Sequence, residues 1–219
     1  MESRSDEAVR LVDYSSSDES SSDSGGNRNR SYCGPEQVDL GHVVGGWSGH
    51  ISLVIGGRCK QQLQRLGATY LKALGSPETA QVIEEPHISL TRAFYLQEHQ
   101  IPSFMAVLEE QLQAREITVG FGEPVILANE QRDRGFVAMQ VTRGSEEVRR
   151  ILEMVNIVMR RFGKGEFYQD ARFHASVVRM DMGSLQRMRE MLGSQEIIST
   201  RIDTVQCVFG NRRFCIALN

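Results

Sequence analysis

Cysteine is scarce in this 219-residue chain and forms no pattern. Cys33, Cys59, Cys207 and Cys215 stand alone, with no C-x-x-C pair, so they read as reduced thiols of an intracellular protein rather than a disulfide framework. Cys207 and Cys215 fall in apolar, strand-like runs and read as core residues. Long apolar runs are missing too. No window approaches ~18 uninterrupted apolar residues, so no membrane span is expected, and the N-terminus lacks the apolar segment of a signal peptide. Excess charge is absent from most of the chain. Residues 1–30 hold seven acids and four bases and account for the whole net charge of -3. The neutral remainder excludes broad, sequence-blind nucleic-acid binding through a basic face, while leaving room for a small site that engages one or two phosphates. The five histidines are scattered, with no acidic pair at ligand spacing, so neither a metal centre nor a cofactor is expected.

What is present divides the chain in two. Residues 1–37 read as a disordered acidic head, because Tyr14-Ser-Ser-Ser-Asp-Glu-Ser-Ser-Ser-Asp-Ser-Gly-Gly has nothing to bury. Its serines 15–24 are candidates for acid-directed phosphorylation. Residues 43–219 read as one α+β domain of two lobes. A buried strand is expected at Ile51–Ile55 and a helix from Arg58 to Gly75. A strand over Val82–Tyr95 and a helix over 100–115 follow. A hairpin joins Ile117–Ala128 to Gly135–Thr142, and a helix capped by Ser145 ends at Gly163. A strand within Tyr168–Met180, a helix near 184–192 and a final hairpin from Thr200 to Leu218 complete the chain. The unit helix–strand–helix–hairpin occurs twice. The fold expected is therefore a duplicated α+β architecture, with two antiparallel sheets facing a central cleft and helices outside.

Each copy of the unit carries a His-x-Ser tripeptide at the start of its strand, His87-Ile-Ser89 and His174-Ala-Ser176. Residues two apart share a strand face, so each tripeptide presents an imidazole beside a hydroxyl. A single tripeptide of this kind is most simply a partly buried histidine on a sheet; two in matching places of a repeat point to one site. Imidazole titrates near pH 6.5, so one ring can be neutral while its partner is protonated. Such a pair suits cleavage of a phosphodiester that has a neighbouring 2′-hydroxyl. The neutral ring takes the hydroxyl proton and the protonated ring gives one to the departing 5′-oxygen. Ser89 and Ser176 can donate hydrogen bonds to the non-bridging oxygens. Tyr168 is either a surface aromatic or a platform for a base. His50, near Trp47, is a packing residue by default with a supporting place at the cleft open to it. Arg172 and Arg179 are solvated charges or phosphate neighbours.

Taken together, Phe167-Tyr-Gln-Asp-Ala-Arg-Phe-His-Ala-Ser176, His87-Ile-Ser-Leu90, Gly46-Trp-Ser-Gly-His50 and Asn129-Glu-Gln-Arg132 resemble the 2H phosphoesterase superfamily. Within it the closest likeness is to the U6 small nuclear RNA phosphodiesterase group, over about residues 43–219. The resemblance implies a metal-independent 3′→5′ RNA exonuclease that trims the uridine tail of U6 RNA in the nucleus, acting as a monomer. The product end would be a 2′,3′-cyclic phosphate or a 3′-phosphate. Carried over residue by residue, His87 and His174 are catalytic, Ser89 and Ser176 bind the phosphate, and Tyr168 stacks the terminal nucleotide. The resemblance further suggests His174 as base and His87 as acid. Ala175 departs from the larger apolar residue usual there, and strand alternation points it away from the cleft. Two other readings compete. One is a 2′,3′-cyclic nucleotide phosphodiesterase or RNA-ligase-like 2H enzyme. The other is a non-catalytic RNA-binding splicing adaptor, against which both motifs being complete already speaks.

Overall fold

A computed structural model describes residues 10–12, 46–129, 132–168, 170–193 and 197–218. The acidic serine run therefore lies outside the described residues. The elements are β1 (Arg10–Val12), β2 (Trp47–Val54), α1 (Gly57–Leu74), β3 (Gln81–Val82), β4 (His87–Ser89), β5 (Phe94–Leu96), α2 (Ile101–Gln111), β6 (Ile117–Asn129), β7 (Arg134–Arg143), α3 (Ser145–Arg161), β8 (His174–Asp181), α4 (Met182–Arg189), β9 (Ile198–Ile202), β10 (Thr204–Phe209) and β11 (Arg212–Ala217). The helices and the central hairpin fall where apolar spacing puts them. Three details differ. The expected strand 82–95 is three short pieces, because Pro86 and the Thr91-Arg92-Ala93 segment interrupt it. The expected strand 200–209 breaks at Asp203 into β9, which pairs with β6, and β10, which pairs with β2. The cap of α3 is Gly144 rather than Ser145. Its φ of 79° and the Thr118 carbonyl oxygen, 2.2 Å from where a Cβ would stand, leave room only for glycine.

Hydrogen bonding joins the strands into one curled, mostly antiparallel sheet in the order β1-β6-β7-β8-β4-β2-β10-β11, with β3, β5 and β9 on the sides. This corrects the expectation of two separate sheets. The two H-x-S strands are themselves neighbours, joined at Ile88↔Ala175. The β6–β7 hairpin lies beside β8, and the β10–β11 hairpin lies beside β2. Each half of the sheet thus mixes strands from both halves of the sequence, so the sequence repeat does not fold as two independent lobes.

The two faces of the sheet are chemically distinct. Val137, Met139 and Val141 of β7 are buried and join the main core with α2, α3 and their aromatics Phe104 and Phe162. Phe136 and Ala138, on the other face, pack instead with Leu127 in a separate small cluster. Cys59 and Cys207 are free and buried. Cys215 of β11 is half-buried, where a core position was expected. Helix α1 lies directly against the second H-x-S strand. A Cβ on Gly67 would stand 2.6 Å from the Val177 carbonyl oxygen, an atom already held by the Ile83 N–H at 2.9 Å. Gly67→Ala should therefore push α1 off β8 and cost about 1–3 kcal/mol, as overpacking does. Urea unfolding of the two proteins measures it, and an unchanged midpoint would contradict this packing.

Candidate active site

The site is built by register. With Ile88 opposite Ala175 in an antiparallel pair, His87 faces Ser176 and Ser89 faces His174 across the strands. Opposed side chains on one face have Cβ atoms about 4.5–5.5 Å apart, and diagonal ones about 7–8 Å. The two imidazoles occupy one diagonal of this quartet and the two hydroxyls the other. Ile88 and Ala175 point to the opposite face and are fully buried. Ala175 is also paired with Met139 on its other side, so a small residue sits between two larger ones there. The departure at position 175 is thus a matter of packing behind the site.

Both histidines are oriented by the same device. His87 Nδ1–H donates to the Glu85 carbonyl at 2.9 Å, and His174 Nδ1–H donates to the Arg172 carbonyl at 2.8 Å. A carbonyl can only accept, so Nδ1 carries the proton and Nε2 is left for chemistry. The segments that hold these carbonyls are themselves fixed. Pro86 imposes an extended backbone on Glu85, and Lys60 of α1 forms an ion pair with the Glu85 carboxylate. Ahead of β8, the Phe173 carbonyl accepts from Val141 N–H at 2.8 Å. Arg149 of α3 lies over the Phe173 ring at 5.6 Å.

The same two leading causes act on both rings. Burial lowers the pKa of both. The hydrogen bonds to the Glu85 and Arg172 carbonyls work against that at both, after which the Glu85 charge raises His87 and the His87 charge lowers His174.

Around the quartet, one cross-strand row is polar. Gln140 pairs with His174 on one side, and Ser52 with Ser89 on the other. Gln206 follows beside Ser52. Tyr168 is 37% exposed in the segment before β8, where Phe167 N–H donates to Asn156 Oδ1 of α3 at 3.2 Å. The Arg92 guanidinium stands over the Tyr168 ring, 5.2 Å from its centroid. That contact ties Tyr168 to the segment three residues beyond Ser89. Arg92, Gln140 and Ser52 carry no signal in the sequence, since none belongs to a motif and only the strand register marks the latter two. Arg172 contributes its backbone. Arg179 lies elsewhere, about 16 Å along β8 from His174 at strand rise, and donates through Nη2 to Gln81 Oε1 at 2.7 Å. Asn129 holds the β6–β7 turn by accepting the Asp133 and Arg134 N–H groups. Among the described residues, no three His, Cys, Asp or Glu side chains form a metal-ligating group.

The two central strands of the curled sheet each open with H-x-S, and helices cover the opposite face. The chain matches the family model HVSL, "uncharacterised conserved protein", over residues 6–217, and it belongs to that family. Among curated proteins it is similar to U6 snRNA phosphodiesterase 1 of Drosophila melanogaster, 27% identical over 189 residues that cover 81% of this chain and 72% of the relative. The protein of the same name from Rattus norvegicus is 25% identical, covering 81% and 71%. Among solved structures, Kluyveromyces marxianus Usb1 superposes with a TM-score of 0.59 at 13% identity, over 78% of this chain and 98% of that one. E. coli LigT complexed with 3′-AMP gives 0.56 at 10% identity, over 80% and 96%.

Proposed function

We propose that this chain is a metal-independent RNA phosphodiesterase that shortens RNA from its 3′ end, with the uridine tail of U6 snRNA as substrate. The observation that carries the reading is the antiparallel meeting of two H-x-S strands with both Nδ1 atoms pinned on carbonyls. In this reading Nε2 of His174 takes the proton of the 2′-hydroxyl on the nucleoside 5′ of the scissile phosphate. That oxygen attacks the adjacent phosphorus as the bond to the departing 5′-oxygen breaks. Nε2 of His87 supplies the proton the leaving oxygen needs. A 2′,3′-cyclic phosphate remains on the RNA, and water attack with the two rings exchanging roles opens it to a phosphomonoester. Ser89 and Ser176 donate to the non-bridging oxygens, where charge grows in the transition state. Tyr168, with Arg92 behind it, offers a face for the terminal base. The similarity to U6 snRNA phosphodiesterase 1 supports the RNA substrate, and the same relationship motivates a nuclear setting and a monomeric enzyme.

The test is a short RNA with an oligouridylate tail, incubated with the protein in EDTA. Stepwise loss of 3′ nucleotides is expected. An intact 3′ end would sink the reading, and preference for a mononucleotide 2′,3′-cyclic phosphate in a chain-length series would favour the cyclic-nucleotide alternative. In the same assay Tyr168→Ala should raise KM by about tenfold or more, as loss of one base stack does, with Tyr168→Phe close to wild type. Equal KM for all three would remove Tyr168 from the site.

A further inference from the structure

We propose that His50 is a positioning residue of this site, which donates from Nε2 to Ser89 Oγ and so aims the Ser89 hydroxyl proton at the scissile phosphate. The inference rests on the phosphodiesterase reading above and concerns a residue outside both motifs. His50 lies on β2, two residues from Ser52, the register partner of Ser89, and therefore on the same face. Its Nε2 is 3.2 Å from Ser89 Oγ. Its ring stands edge-on to that of His87, with centroids 5.3 Å apart and planes at 70°. One imidazole thus touches a phosphate-binding serine of the first motif and the ring of that motif's histidine.

The backbone around His50 is rigid. Ile51 is fully buried, its N–H donates to Thr91 Oγ1 at 2.9 Å, and its carbonyl accepts from Leu90 N–H at 2.9 Å. β2 is therefore clamped by two hydrogen bonds at Ile51 to the residues just after Ser89. A serine hydroxyl has one proton and two lone pairs. If Nε2–H of His50 fills a lone pair, the hydroxyl proton is left to point at the phosphate. The same contact made in the opposite sense would consume that proton. Charge supports the first arrangement. Desolvation, with the adjacent His87 charge as a lesser cause, pushes His50 down to about 3, so it can donate as a neutral ring without placing a second cation beside His87. The register partner of Ser176 on β7 is Ala138, whereas that of Ser89 on β2 is Ser52. Ser89 is thus the hydroxyl whose direction a third histidine sets.

The experiment is a double-mutant cycle read by single-turnover shortening of the oligouridylate-tailed RNA. His50→Phe keeps a flat ring and removes the donor. It should lower kcat by about tenfold to a hundredfold, less than loss of a whole oxyanion donor, with KM within about twofold. His50→Gln, whose Nε2 can occupy the same position, should recover most of the rate. Ser89→Ala lowers the rate, and adding His50→Phe to it should change nothing further. Melting curves accompany all four proteins. If His50→Phe does not melt cooperatively, His50→Asn, too short to reach Ser89 Oγ, takes its place in the cycle. Full activity of the variant, or a further equal loss in the Ser89→Ala background, overturns the inference while leaving the phosphodiesterase reading intact. A wild type that leaves the RNA unshortened sinks both.

Discussion

Replacing His174 with alanine lowers the rate of 3′-end shortening by at least about 10²-fold, the range in which a positioned general base contributes. The expectation comes from one nitrogen. His174 Nδ1 is committed to the Arg172 carbonyl, so Nε2 is the only ring atom left to take the 2′-hydroxyl proton. Alanine removes it and leaves Ala175, Ser176 and the strand pairing in place. His87→Ala should be as damaging, for the leaving oxygen then departs without a proton. The double variant should be little worse than either single one, because the two rings act on one transition state. The pH dependence carries a sign. The base must be neutral, so kcat/KM falls as pH drops through its pKa. The acid must be protonated, so kcat/KM falls as pH rises through its own. Burial lowers both from the ordinary 6.5, so the bell should lie on the acid side of 6.5. A bound phosphate favours the charged rings, and kcat should peak at higher pH than kcat/KM. A profile for kcat/KM centred well above 7 would contradict this placement.

A single 2′-deoxynucleotide placed 5′ of the scissile phosphate should stop shortening at that position, with RNA binding retained. The nucleophile in this chemistry belongs to the substrate, so its removal leaves the protein nothing to activate. An enzyme that used water directly would cut through the deoxy position, since the phosphate and both rings are unchanged. The size of the effect is therefore all or none, and a gel of 3′-end products resolves it. Continued stepwise cutting past the deoxy nucleotide would exclude attack by the 2′-oxygen.

Much of this site is legible in the amino-acid sequence. Apolar spacing locates α1, α2 and α3, and the polar turn after Asn129 locates the β6–β7 hairpin. The two tripeptides are visible as a pair because strand alternation is local and needs no tertiary knowledge. Their meeting is not. Nothing in Ile88 or Ala175 announces that they are register partners, since pairing across 87 residues is decided by what the rest of the sheet leaves open. The two-sheet expectation fails for the same reason, as a repeat in sequence does not say which hairpin lies beside which strand. His50 shows a further limit. In the sequence it is one histidine near a tryptophan, and its importance lies in a 3.2 Å contact with a serine 39 residues away. Arg92 is inconspicuous in the same way, and only its place over the Tyr168 ring marks it.

The central claim is that His87 and His174 flank one phosphate. A crystal structure of the protein with an oligouridylate that carries the blocking 2′-deoxynucleotide tests it most directly. The account predicts the scissile phosphate between the Nε2 atoms of His87 and His174, with Ser89 and Ser176 on its non-bridging oxygens and the terminal base against Tyr168. A phosphate bound instead at the far end of β8, among Arg134, Arg179 and Gln81, would contradict it.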